Sequence, residues 1–293
     1  MEILFDYLKS GGFEFYENFN SSQISSIRLG MNLSLAIFPH SLNELKKLLK
    51  FLYRHKIYYR VFGNLSNVLI ISNLTHPVII TSKMQAEISF DENKVTVSAG
   101  TMLSKFCELL RKNSLSGLEG LCGIPATVGG AIFNNAGAFG YHISDRLVSI
   151  SVFFEGKILK ISKFDIKFDY HKASLFGFIV LDATFLFENR KEYDIIKMSN
   201  EFTYRRNLSQ PSGFSLGSVF KRCNNTSAGF YIERSGLKGA RAGDIVISKK
   251  HSNFFINVGC GCVSDFLYLE KLTKDCVKNS FGVTLYTEIE KVG

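Results

Sequence analysis

Between Gly117 and Gly140, seven of 24 residues are glycine, roughly four times the usual density of about 7 %. Each interior glycine costs a helix ~1 kcal/mol relative to alanine. The stretch therefore predicts tight turns, or a backbone that approaches something closely, rather than a regular helix. Two of its segments could form a phosphate cradle: Gly123-Ile124-Pro125-Ala126-Thr127-Val128-Gly129-Gly130 and Asn135-Ala136-Gly137. A similar break, Gly63-Asn64-Leu65-Ser66-Asn67, separates two apolar runs upstream. Bare amides in such loops can converge on a diphosphate, with Ser66, Asn67 and Thr127 adding donors. Either loop alone is equally well a tight structural turn, and the presence of two favours the cradle. No Gly-x-Gly-x-x-Gly follows a strand with an acidic residue downstream, which argues against a Rossmann domain.

The rest of the chain supplies a scaffold of short elements. Ser41-Leu42-Asn43-Glu44 reads as a capping box, with Glu44 reaching back to Ser41. Leu42, Leu45, Leu48, Leu49 and Leu52 follow at helical spacing, predicting a helix over 42–54. Residues 102–112 give a second amphipathic helix, and 264–280 a third that ends before Gly282. Strands are expected at 59–62, 68–71, 78–80, 95–97, 148–154, 158–161 and 178–187. Tyr204-Arg205-Arg206 is expected to open a polar loop running to Pro211. Alternating short strands and helices indicate an α+β or mixed α/β fold, with a domain boundary near 190–200.

Composition bounds the function without choosing it. An apolar content of 46 % in 293 residues suits one large domain or two small ones. The net charge of +9 suits an anionic partner. Lys and Arg are not interleaved with aromatic residues in any nucleic-acid motif, so no nucleic acid is expected. No apolar run reaches the ~18 residues of a membrane span, and Met1–Asp6 lacks a basic segment ahead of an apolar one, so no signal peptide is expected. Six scattered cysteines show no metal-ligand spacing, so they read as reduced thiols and no metal is expected. A cytoplasmic protein is the resulting expectation.

One more segment, Gly217-Ser218-Val219-Phe220-Lys221, holds a serine between glycine and an apolar residue. No Gly-x-Ser-x-Gly elbow surrounds it, so Ser218 on its own reads as a turn residue.

Together these segments resemble a known family. GLEGLCGIPATVGGAIFNNAGAFG at 117–140 is similar to the flavin-binding core of the UDP-N-acetylenolpyruvoylglucosamine reductases, the MurB family. The likeness continues through VFGNLSNVLI (61–70), YRRNLSQP (204–211), GSVFK (217–221), SGLKGARAGDIVISKKHSNFFIN (235–257) and FGVTLYTEIEKVG (281–293). It covers nearly the whole chain, in order, and matches the shorter, type II branch. The resemblance implies a two-part FAD-binding region of the vanillyl-alcohol-oxidase/PCMH type over 1–195, split near 84, followed by an α/β substrate-binding domain over 196–293. It implies non-covalent FAD held by Gly63, Asn64, Ser66, Asn67, Gly123, Ile124, Pro125, Thr127, Gly129, Gly130, Asn135, Ala136 and Gly137. It further implies NADPH as reductant, UDP-N-acetylglucosamine enolpyruvate as substrate, a role in peptidoglycan precursor synthesis, and a monomer.

Ser218 stands where the family donates a proton, and Glu288 stands at its catalytic acidic position. Arg206 and Lys221 are implied to bind substrate diphosphate or flavin oxygens. The family's Tyr-Arg-x-Ser is replaced by Tyr170-His171-Lys172-Ala173-Ser174, so His171 is the candidate for the catalytic arginine's place and Lys172 the competitor. In an extended segment these two would face opposite ways. Leu65 stands where a glycine is common, and is expected to avoid a left-handed backbone. Ala126 likewise replaces a glycine and is acceptable at negative φ. The missing arginine leaves a non-catalytic binding homologue as an alternative, and an FAD oxidase of the same fold as another.

Overall fold

A computed structural model describes residues 1–223 and 226–293. Its helices are α1 (Glu2–Ser10), α2 (Leu42–Arg54), α3 (Leu103–Lys112), α4 (Val128–Phe133), α5 (Glu192–Ser209), α6 (Ala228–Arg234) and α7 (Val263–Phe281). The expected leucine face of α2 is buried through Leu45, Leu48, Leu49 and Leu52. Ser41 Oγ accepts the Glu44 N–H at 3.1 Å. The Glu44 carboxylate reaches one residue further than expected and accepts from the His40 N–H at 2.8 Å. At α7, Asp265 accepts the Cys262 N–H at 3.0 Å, and Gly282 closes the helix in the left-handed conformation.

Two expectations fail for identifiable reasons. Tyr204, Arg205 and Arg206 lie in the last turns of α5 rather than in a loop. Of that helix only Ile195 is buried, so no apolar stripe announces it. The glycine-rich stretch does contain a helix, the six-residue α4. Thr127 caps it, accepting the Gly130 N–H at 3.3 Å, while Val128, Ala131 and Ile132 bury its inner face. Gly129 is required there, because a Cβ would stand 2.8 Å from Ala99 Cβ.

The chain forms two compact units. The first comprises Met1–Glu17, Leu35–Asn64 and His76–Arg205; the second comprises Asn18–Ser34, Leu65–Thr75 and Arg206–Gly293. The first unit holds a five-stranded antiparallel sheet in the order 157–162, 147–154, 179–186, 94–98, 88–91. Val95, Val97, Ile150, Ala183 and Phe185 of this sheet share a core with Phe106 of α3 and with Val128 and Ile132 of α4. A separate core joins α1 and α2 to Leu35, Ile37 and Ile79. In the second unit, strands 241–242, 245–247 and 255–257 form an antiparallel sheet, and Val68–Ile70 pairs in parallel with Glu290–Val292. Its core gathers Ile27, Leu29, Leu69, Phe220, Phe255 and Phe266. Among the described residues no helix is long and apolar enough to cross a membrane.

Candidate active site

The two glycine loops meet in the first unit. Asn64 Nδ2 donates to Pro125 O at 2.9 Å. Gly63 lies so close to the helix cap that a Cβ would stand 2.4 Å from Thr127 Oγ1. Several amides expected to be bare are already committed: Ile124 to Leu121 O, Ala126 to Ile124 O, Val128 to Thr101 O and Gly129 to Ala99 O. Those of Gly123 and Thr127 donate to no protein acceptor among the described residues. Ala126 stays out of the left-handed region. Asn135 is buried at φ +39. Its Nδ2 donates to Asp169 O at 3.1 Å, while its Oδ1 is buried without a hydrogen-bond partner among the described residues. A buried, unsatisfied acceptor is costly, and a ligand N–H or O–H would satisfy it. Ala136 and Gly137 follow, the latter packed against the His142 ring, which a Cβ would approach to 2.5 Å.

Leu65 adopts φ +45, contrary to expectation. Its side chain is almost completely buried, and that burial, worth about 1.5–3 kcal/mol, offsets the ~1–2 kcal/mol of a left-handed residue.

The second unit brings Ser218, Lys221 and Glu288 onto adjoining segments. Gly217, at φ +78, turns the chain so that Ser218 faces Phe254 and Phe220 faces Thr287 in isolated antiparallel bridges. The Val219 N–H donates to Asn253 O at 2.8 Å, the Glu288 N–H to Val219 O at 2.8 Å, and the Lys221 N–H to Tyr286 O at 2.9 Å. Asn67, on the Leu65–Thr75 segment that belongs to this unit, donates from Nδ2 to Glu288 O at 3.4 Å, and its own carbonyl accepts the Glu290 N–H at 3.0 Å. Glu288 is half-buried, and burial pushes its carboxyl up to about 7, partly opposed by the positive charge of Lys221. Arg206 sits near the end of α5, with Nη1 donating to Gln210 Oε1 at 3.3 Å.

Sequence reasoning missed two supports. Asn253 holds the Ser218 segment by its side chain, which accepts the Phe220 N–H at 3.0 Å and donates to Phe220 O at 2.8 Å. An asparagine directly ahead of the apolar run Phe254-Phe255-Ile256 was the available signal. Glu270 of α7 is buried. It accepts from Lys291 Nζ at 2.8 and 2.9 Å, from Thr287 Oγ1 at 3.0 Å, and from Lys274. Burial raises its pKa, but the hydrogen bonds of Lys274 and Lys291 bring it below the usual carboxylate value. The clamp fixes the residue next to Glu288.

His171 is not in an extended run. Phe168–Asp169 pairs with Lys172–Ala173, which leaves Tyr170-His171 as a two-residue turn with His171 at φ +51. The argument from opposite strand faces therefore does not hold. The Tyr170 ring stands edge-on to the imidazole, with centroids 4.1 Å apart, and Lys172 is exposed. All six cysteines are free thiols.

Residues 210–292 match the family model described as "UDP-N-acetylenolpyruvoylglucosamine reductase, C-terminal domain", and residues 33–162 match one described as "FAD binding domain". The UDP-N-acetylenolpyruvoylglucosamine reductase of Caldicellulosiruptor saccharolyticus is 35 % identical over 286 residues, covering 96 % of this chain and 92 % of that protein. The one from Clostridium novyi is 35 % identical over 285 residues, with the same coverage. The crystal structure of UDP-N-acetylenolpyruvylglucosamine reductase (MurB) from Thermus caldophilus superposes with a TM-score of 0.81 at 30 % identity, covering 96 % of this chain and 99 % of that one. This chain belongs to the UDP-N-acetylenolpyruvoylglucosamine reductase family. The resemblance read in the sequence and the α+β fold class are both borne out. A reductase of this family carries FAD, and the close-packed Gly63, the uncommitted amides of Gly123 and Thr127 and the orphaned Asn135 Oδ1 suit a polar, diphosphate-bearing group.

Proposed function

We propose that the chain reduces UDP-N-acetylglucosamine enolpyruvate to UDP-N-acetylmuramate with electrons from NADPH, a step of peptidoglycan precursor biosynthesis. It is an FAD-dependent oxidoreductase by family. FAD, when bound, supplies the hydride for the enolpyruvyl double bond. Our reading gives Gly63, Asn64, Ser66, Asn67, Gly123, Ile124, Pro125, Thr127, Gly129, Gly130, Asn135, Ala136 and Gly137 to the cofactor, over a region 1–195, and gives 196–293 to the substrate.

Reduction of the substrate leaves negative charge on the carbon beside its carboxylate. Ser218 donates the proton that quenches it; a hydroxyl held at the carbon suffices against so strong a base. Glu288, whose carboxyl keeps its proton up to about 7, stabilises in its protonated form the charge developing on the substrate carboxylate by donating a hydrogen bond to it. Arg206 and Lys221 bind the diphosphate, and His171 takes the place of the family's arginine, with an imidazole instead of a two-pronged fork. The observation that carries this reading is the half-buried Glu288, raised to about 7 and hydrogen-bonded through its backbone to the Ser218 segment. We further propose a monomer working in the cytoplasm without nucleic acid.

The deciding experiment follows NADPH oxidation by the yellow, purified protein with and without the enolpyruvyl sugar nucleotide. Stoichiometric consumption with a product two hydrogens heavier supports the reductase. Turnover that needs dioxygen and ignores the sugar nucleotide overturns it in favour of an oxidase. Tight sugar-nucleotide binding with no NADPH consumption overturns it in favour of a non-catalytic homologue.

A further inference from the structure

Away from the Ser218 segment, two thiols converge in the first unit. Cys107 lies on the inner face of α3, and Cys122 directly precedes Gly123. Both sulfurs point at one acceptor: Leu118 O is 3.8 Å from Cys107 Sγ and 3.6 Å from Cys122 Sγ. Both thiols line a small cavity together with Leu110, Leu115, Glu119 and Ser199 of α5. Cys107 is buried and Cys122 half-buried, so a small polar oxidant entering the cavity meets Cys122 first.

The two sulfurs are chemically unequal. The hydrogen bond from Cys107 holds the Cys122 thiol below its ordinary pKa against the effect of burial, with Ser199 adding to it. The same bond, together with burial, pushes Cys107 well above its ordinary value. A cavity-facing sulfur with a lowered pKa beside one with a raised pKa is the division of labour between an attacking and a resolving thiol. A buried structural cysteine has no such neighbour and is inert.

We propose that Cys107 and Cys122 form a redox-responsive dithiol that hydrogen peroxide converts to a disulfide, joining α3 to the residue before the 123–130 loop. Peroxide is the product whenever a reduced flavin meets dioxygen, so the oxidant arises beside any flavoenzyme. Cys122 Sγ attacks one peroxide oxygen and the O–O bond breaks; the departing hydroxide takes the thiol proton and leaves as water. Cys107 Sγ then attacks the Cys122 sulfur and the new S–O bond breaks; this second hydroxide takes the Cys107 proton. Two thiols lose two electrons and two protons, and one peroxide becomes two waters. The cross-link itself does not depend on the assignment of the loop to FAD.

The test treats the purified holoprotein with a few equivalents of hydrogen peroxide, then denatures it in maleimide to block every remaining thiol. Non-reducing peptide mapping is expected to give a joined pair of peptides carrying Cys107 and Cys122, two hydrogens lighter than their sum and separated by dithiothreitol. In C107S the cross-link disappears and Cys122 is trapped by dimedone as the sulfenic acid. Recovery of both cysteines as maleimide adducts, while the exposed Cys260 and Cys262 are oxidised, would overturn the proposal. So would Cys122 ending as sulfinic acid in the unsubstituted protein. The unsubstituted map decides on its own if C107S fails to fold.

Discussion

Glu288→Gln tests the acid and its energetic cost in one protein. Folding raises this carboxyl from an ordinary 4.5 to about 7, chiefly by burial. The folded state therefore binds more protons than the unfolded chain between these two values, and stability falls as pH rises through that window. Below 4.5 both states carry a neutral carboxyl and the cost vanishes; above about 7 it is present in full. At about 1.4 kcal/mol per pH unit the full cost is about 3 kcal/mol. Glutamine keeps the shape and never ionises. Urea unfolding of the holoprotein should then find the variant and the parent alike near pH ~4, with the variant ahead by up to ~3 kcal/mol near pH ~9. Turnover should move the opposite way: the parent loses activity as pH rises through about 7, while the variant lacks that fall and is at least ~10²-fold slower below it. Identical pH–stability curves for the two proteins would refute the argument, because the raised group would then be another one.

Three further outcomes follow from the same geometry. Ser218→Ala should leave flavin reduction by NADPH nearly intact and slow sugar-nucleotide turnover by at least ~10²-fold; equal single-turnover rates in stopped flow would reassign the proton donor. Gly63→Ala places a Cβ 2.4 Å from Thr127 Oγ1, so it should purify with a lowered ratio of flavin to protein absorbance, and full flavin content would show that the loop yields without consequence. His171→Gly relieves a left-handed backbone, so it should hold or raise the melting temperature by the equivalent of ~1 kcal/mol. The same variant should lower turnover, and unchanged turnover would remove His171 from the site.

Local signals were legible and distant ones were not. The α2 helix could be read because Ser41 and the leucines at 45, 48, 49 and 52 state both its start and its buried face. The α5 helix could not, since its single buried residue, Ile195, leaves no period to detect. The left-handed backbone of Leu65 escaped because its compensation is a buried side chain, which depends on tertiary packing. The turn at His171 escaped because a two-residue hairpin usually advertises itself with Gly or Asn, and Tyr-His does neither. Ser218 and Glu288 became candidates through the family likeness. Nothing in their local sequence tells that the Glu288 N–H meets the Val219 carbonyl, or that Asn253 fastens Phe220.

The second unit draws on chain segments made at very different times during synthesis. Ile27, Leu29 and Leu69 emerge early, yet their core partners Phe220, Phe255 and Phe266 lie beyond the 130 residues of His76–Arg205. The Asn257 side chain closes on the Ile27 carbonyl at 3.1 Å across 230 positions. At ~5–20 residues per second the ribosome needs roughly 6.5 to 26 s to make the intervening 130 residues of His76–Arg205. During that time the first unit can already assemble, while the early strips of the second remain apolar and unpaired. Exposed apolar strips of this kind are prone to aggregate, and any halt in translation before Arg206 leaves them without their core partners.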